Sequence, residues 1–245
     1  MALNPLHQFE IHELASFTIA GKEIFLTNQS LWMIIATSVI ILFFALGMRK
    51  RALVPGRFQS MVEISYEFID ELVQSTTGAK GKKFMPLIFT IFFFISANNL
   101  LGIIPGSYTS TSQISITFTM GLCVFALVWI VGLYKHGLGF FKLFVPSGLP
   151  LAMIPLMLVL ELISFFARPC TLAIRLAANM AAGHILLKVF ASFAVMLAGV
   201  FAALAIVPAA ILLGITALEV LVAVLQAYIF TILTCVYIND AINLH

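Results

Sequence analysis

Long apolar runs separated by short charged or Pro/Gly-rich stretches organise this chain. The run 31–48 contains no ionisable residue. It is just long enough to cross a hydrocarbon core about 30 Å thick. Arg49, Lys50, Arg51 and Arg57 follow at once. The next stretch, 58–77, has a different pattern. Phe58, Met61, Val62, Ile69, Leu72 and Val73 fall on one helical face, and Glu63, Glu67, Asp70, Glu71 and Gln74 on the other. Such a pattern predicts an amphipathic helix lying flat in the membrane interface or against a partner. Lys80, Lys82 and Lys83 precede a second crossing over 84–104, which ends at Pro105-Gly106. A polar turn over 107–115 leads into a third crossing, 116–133, which ends at Tyr134-Lys135-His136. A Gly/Pro-rich link over 137–150 carries Lys142.

The last hundred residues form two unusually long apolar segments, 151–189 and 192–238. As helices they measure about 58 Å and about 70 Å at 1.5 Å per residue. Each is roughly twice the hydrocarbon thickness, so a straight helix needs more tilt than the usual ~20°. Two long, steeply tilted helices satisfy the pattern, and so does a break near Pro208 or Gly214 that adds a crossing. Apolar periodicity continues past Pro155 and Pro169, which therefore read as kinks and not as stops. The expectation is one all-α polytopic membrane domain over 1–245. It has about five membrane-embedded helices, one interfacial amphipathic helix, and a long final hairpin over 151–240.

Composition agrees with this reading. The chain is 62% hydrophobic and 9% charged, against roughly 25% charged in a soluble domain. Mean hydropathy is +1.12. A net charge of +3 gives no reason to expect nucleic acid, and no Gly-rich phosphate loop is present. Cys123, Cys170 and Cys235 stand alone in apolar surroundings, which reads as buried thiols and not as metal ligands or a disulfide framework. The stretch 1–14 lacks the basic and apolar regions of a secretory signal. Nine of the 13 Lys and Arg lie at 49–57, 80–83 and 135–142. The positive-inside rule places those ends in the cytoplasm, or in the matrix of a mitochondrion. The tail 1–30 and the turn 107–115 are then outside. The tail 239–245 has no Lys or Arg, so charge does not fix its side. No internal repeat stands out.

The candidate chemistry lies in the apolar C-terminal half. Between 151 and 189 the ionisable residues are Glu161, Arg168, Arg175, His184 and Lys188. Glu161, Arg168 and Arg175 are seven apart and share one slowly drifting helical stripe, which Asn179 joins four residues later. Glu219 and Gln226 are again seven apart in the next segment. An antiparallel return could bring Glu219 to His184. Arg175 has no neutral form at working pH, and at bilayer depth an arginine costs about 2.5–3.5 kcal/mol even on lenient scales. Its plain structural role is an ion pair with Glu161 or Glu219. The functional role is a permanent charge that something else must meet. Arg168 reads as a partner of Glu161 or as a functional group, and Lys188 as a snorkelling anchor. Asn179 and Gln226 read as interhelical hydrogen-bond groups or as part of a polar path.

The run Thr171-Leu172-Ala173-Ile174-Arg175-Leu176-Ala177-Ala178-Asn179-Met180-Ala181-Ala182-Gly183-His184 resembles the signature of the subunit a family of F-type proton-translocating ATP synthases. Asn99-Leu100-Leu101-Gly102-Ile103-Ile104-Pro105, Leu218-Glu219, the stretch from Gln226 to Phe230, and His7-Gln8-Phe9-Glu10 support it. The resemblance covers essentially the whole chain in order. His184 with Glu219 is similar to the mitochondrial and alphaproteobacterial branch. Gly102 departs from the bacterial members that carry Asp there.

The resemblance implies a non-catalytic stator subunit beside a rotating proteolipid ring, with peripheral-stalk membrane subunits as further partners. It implies no cofactor, no metal and no bound nucleotide. Two offset half-channels would carry protons: His184 and Glu219 in the outer one, Glu161 in the inner one. Arg175 would face the ring carboxylate, with Asn179, Gln226, Arg168 and Asn99 as supporting polar groups. The implied location is the bacterial inner membrane, or the mitochondrial inner membrane as alternative. Two readings from other classes stand beside it. A secondary transporter would use Arg175 and Glu219 as a substrate site, and a structural scaffold would tolerate neutral residues at Arg175, His184 and Glu219.

Overall fold

The computed structural model describes residues 10–19, 22–49, 52–104, 106–137, 139–140, 153–200 and 206–243. His7 to Phe9, Lys50, Arg51, Pro105, Lys142 and most of the link 137–150 lie outside the described residues. Six α-helices dominate the described residues. The protein is a multi-pass membrane protein, and five helical stretches among the described residues are long and apolar enough to cross a bilayer.

A hairpin that the hydrophobic pattern did not announce comes first. Strand β1 (Glu13–Ile19) pairs antiparallel with β2 (Lys22–Thr27), Ser16 opposite Phe25. Helix α1 (Asn28–Gly47) follows directly. Its start lies three residues before the apolar run because polar groups close the first turn. Asn28 Oδ1 accepts from the Gln29 N–H at 2.8 Å and from the His12 N–H at 3.3 Å. Ser30 Oγ accepts from the Thr27 N–H at 3.0 Å. The Gln29 bond satisfies a donor that a helix start leaves open, as does the bond from the Ser30 N–H to Thr27 Oγ1 at 3.3 Å.

Helix α2 (Arg57–Thr77) buries Val62, Ile69, Leu72, Val73 and Thr77. Phe58 and Met61, expected on the same face, are exposed. Helical register explains Met61, which points about 100° away from Val62. Phe58 sits in the first turn, near Gly47. Gly78 ends the helix at φ 65°, a left-handed conformation that glycine adopts without strain. A 3-10 turn (Ala79–Phe84) then carries the three lysines into α3 (Met85–Gly102). A second 3-10 turn (Ser110–Ser112) precedes α4 (Ile114–His136).

Helix α5 (Ile154–Val200) has 47 residues and α6 (Ile206–Ile242) has 37. They run about 70 Å and about 56 Å. Of the two readings of the C-terminal half, the two long helices are observed. Helix α5 continues to Val200, some ten residues past the end that the pattern placed. Ser192 does not break α5, because its hydroxyl donates to the Lys188 carbonyl at 2.7 Å, inside the helix. Pro208 lies in the first turn of α6, where its missing N–H has no intrahelical acceptor to lose, and the helix continues through Gly214. Pro155 likewise occupies the first turn of α5 and is a start, not a kink. Pro169 alone is internal to α5.

Contacts divide the chain into two compact units. The first comprises Met1–Phe43, Phe93–Gln113 and Leu176–Ala227; the second comprises Phe44–Phe92, Ile114–Arg175 and Tyr228–His245. Thus α5 contributes Arg175 to the second unit and His184 to the first. The second unit has an aromatic core in which Phe140 and Phe165 are buried with Val128 and Ala241, against Phe125, Trp129 and Tyr237. Its helices also approach at glycines. A Cβ at Gly121 on α4 would lie 2.9 Å from the Pro169 carbonyl oxygen on α5. In the first unit Asn99 is fully buried and donates to the Ala223 carbonyl at 3.0 Å, joining α3 to α6.

Candidate functional site

In the first unit, α5 supplies His184 and α6 supplies Glu219, which are 8% and 5% exposed. Nδ1 of His184 lies 3.5 Å from Oε1 of Glu219, so the antiparallel return does bring the pair together. On its other side, His184 Nε2 shares a 2.6 Å hydrogen bond with Thr109 Oγ1. A neutral imidazole donates at one nitrogen and accepts at the other. Thr109, His184 and Glu219 therefore form a short chain of polar side chains, hydrogen-bonded between Thr109 and His184 and within ion-pair distance between His184 and Glu219. Neither carboxylate oxygen of Glu219 has a hydrogen-bond partner among the described residues. A cavity of about 360 Å³ opens beside this chain, walled by Ser107, Thr109, His184, Lys188 and Thr216.

Two glycines make this packing possible. A Cβ at Gly102 would collide with the Thr109 side chain, and one at Gly183 would lie 2.8 Å from Glu219 Oε1. Gly102, read from the sequence as a departure, is where the Thr109 side chain comes close. Asn99 has both ends of its amide occupied, since Thr111 Oγ1 donates to its Oδ1 at 2.6 Å while its Nδ2 binds the Ala223 carbonyl. Thr109 and Thr111 were not singled out from the sequence. The available signal was a turn rich in Ser and Thr between two apolar runs, which is also what an ordinary exposed loop looks like.

In the second unit, Arg168 is the centre of a charged cluster. Its Nη1 lies 3.1 Å from Asp240 Oδ2 and its Nη2 3.5 Å from Glu161 Oε1. The guanidinium also stands over the rings of Tyr237 at 5.2 Å and Phe165 at 5.7 Å. The expected Glu161–Arg168 pair is therefore present, and Asp240 is an unforeseen third member. Asp240 drew no notice because it sits beyond the last apolar run, in a tail weighed only for its missing basic residues.

Arg175 is different. It is exposed and makes no hydrogen bond or ion pair with any described residue. The ion-pair reading of this residue does not hold. Asn179, one turn further along α5, and Gln226 on α6 are half-buried and likewise make no hydrogen bond among the described residues. Lys188 is half-buried and faces the cavity beside His184.

The sequence profile of the family described as ATP synthase A chain matches residues 30–239. A protein named ATP synthase subunit a from Rhodopseudomonas palustris (strain BisB5) is 51% identical, with 99% of each chain covered. Proteins of the same name from Nitrobacter hamburgensis and Hyphomonas neptunium are 50% and 48% identical. The first comparison covers 98% of both chains, the second 99% of this chain and 97% of the relative. With this match running from the first crossing almost to the end of α6, the chain belongs to the ATP synthase A chain family.

Proposed function

We propose that this protein is the membrane stator subunit of an F-type ATP synthase, conducting protons to and from the carboxylates of a rotating proteolipid ring. The observation that carries the reading is Arg175: a permanent cation on a long apolar helix, with no hydrogen-bond or ion-pair partner among the described residues. Such a charge is costly in a membrane unless a counter-charge arrives from elsewhere. A ring carboxylate is that counter-charge. Arg175 attracts it, favours its ionised form, and releases it as the ring turns. The same charge repels protons and blocks direct leakage from one half-channel to the other.

Thr109, His184 and Glu219, with the adjoining cavity, form the outer half-channel. Glu161 serves the inner one. A unit charge moving through the transmembrane potential gains about 2.3 kcal/mol per 100 mV, which drives rotation. The subunit itself performs no covalent chemistry. Nucleotide turnover belongs to partner subunits, and peripheral-stalk membrane subunits hold this one still. The chain resides in a bacterial inner membrane, N-terminus outside and basic ends inside. Helix α2 lies along the interface, and α5 and α6 tilt steeply to follow the ring.

Arg175→Ala in inverted membrane vesicles tests the reading. ATP-driven proton pumping should vanish while the assembled complex persists on native gels. Pumping at the wild-type rate would overturn the assignment.

A further inference from the structure

A second cavity, of about 540 Å³, lies in the second unit, and its walls include none of the residues assigned above to the half-channels. Lys80 and Lys83, from the 3-10 turn before α3, stand at it together with Lys135 from the last turn of α4. The remaining walls are apolar or aromatic, among them Phe84, Ile130 and Tyr134. Three ammonium groups thus share one opening, and none of them forms an ion pair with a carboxylate among the described residues. Lys135 Nζ donates to the Ile242 carbonyl at 2.8 Å, and Lys80 Nζ to Asn243 Oδ1 at 3.4 Å; both acceptors are uncharged. Lys83 makes no hydrogen bond or ion pair with a described residue. An ammonium has three donors, so most of the donor capacity here is unspent.

The walls say what kind of anion fits. Ile130 lies five residues from Lys135 toward the middle of α4, a span of about 7.5 Å. The apolar wall therefore leads from the lysines along a membrane-crossing helix. Ile130 is 67% exposed and Tyr134 94%. An exposed tyrosine at the end of a spanning helix suits the headgroup level of a bilayer. A small soluble anion would use the lysines and leave the apolar wall bare. A lipid with an anionic headgroup would use both, and basic pockets between membrane helices take such headgroups.

We propose that this cavity binds one anionic phospholipid, its phosphate held by Lys80, Lys83 and Lys135 and its acyl chains lying along Phe84 and Ile130. The proposal needs only the multi-pass membrane character of the chain and is independent of its role in proton conduction.

Native mass spectrometry of the purified ATP synthase complex, with phosphatidylglycerol or phosphatidylcholine of identical acyl chains added, tests it. The complex should retain one phosphatidylglycerol in preference to phosphatidylcholine. Lys83→Gln, which removes a charge without removing a hydrogen bond, should weaken retention about fivefold, and Lys80→Gln with Lys83→Gln and Lys135→Gln should abolish the preference. Lys82→Gln, a neighbouring lysine outside the cavity wall, should leave it unchanged. Equal retention of the two lipids, indifference to Lys83→Gln, or complete displacement by inorganic phosphate would overturn the proposal. So would loss of retention in the complex but not in the isolated full chain, because a protein partner would then fill the cavity.

Discussion

The two polar clusters use the same residue types in opposite ways. Around Arg168 the charges are paired locally: one guanidinium meets two carboxylates within 3.5 Å and two aromatic rings, with side chains between a quarter and a third exposed. Around Glu219 they are not. That carboxylate is 5% exposed, its oxygens have no hydrogen-bond partner among the described residues, and its neighbour is an imidazole that is charged only when protonated. A paired cluster fixes helices in place, because moving any member leaves a charge without its partner in a poor solvent. An unpaired one beside a cavity is suited to exchanging protons. Arg168 and Arg175 repeat the contrast on a single stripe of α5, one arginine paired twice and the other without an ion-pair partner among the described residues.

The largest effect should come from the unpaired side. Glu219→Gln keeps the size of the side chain and removes its proton site. Proton flux through the reconstituted complex, followed by dye quenching, should fall about a hundredfold, the scale of losing a positioned proton-transfer group. Assembly should be intact. If flux stays within about twofold of wild type, Glu219 is not in the path and the contrast between the clusters collapses.

Next come the two glycines, which distinguish backbone from side-chain contact. A Cβ at Gly121 would press on the Pro169 carbonyl, which cannot move without α5. Gly121→Ala should lower the stability of the complex by about 1–3 kcal/mol, the usual cost of overpacking, seen as a lower unfolding temperature. A Cβ at Gly183 would meet only the flexible end of Glu219. Gly183→Ala should leave the unfolding temperature nearly unchanged while reducing proton flux, because the carboxylate must shift away from His184. The reverse pattern would mean that the first cluster is structural.

Much of this was legible in the chain. Apolar run length marked the crossings, since nothing but a helix satisfies its own backbone over such lengths in lipid. The spacing of seven put Glu161 and Arg168 on one stripe, and the pair is formed. Three features were not legible, each for a physical reason. The second long segment was read as starting at Ser192, yet the Ser192 hydroxyl bonds back to Lys188 and the helix runs through it. The β1–β2 hairpin lies in a stretch with no long apolar run, where the pattern has little to say. Thr109 and Asp240 reach their partners from 75 and 72 residues away in sequence, and no local period encodes contacts of that range.

The smallest effect tests the paired side. Arg168→Gln leaves Glu161 and Asp240 as two half-buried carboxylates without their shared cation. Fully exposed pairs contribute about 0–1 kcal/mol and fully buried ones cost about 3–5 kcal/mol to break. With side chains a quarter to a third exposed, the loss should be about 1–2 kcal/mol of stability, between those limits. Adding Asp240→Asn removes one of the stranded charges and should recover part of the loss, a coupling that a double-mutant cycle on the unfolding temperature measures directly. Proton flux should change far less than in Glu219→Gln. If Arg168→Gln instead stops flux at unchanged stability, Arg168 belongs to the proton path with Arg175, and the two arginines differ in partners but not in role.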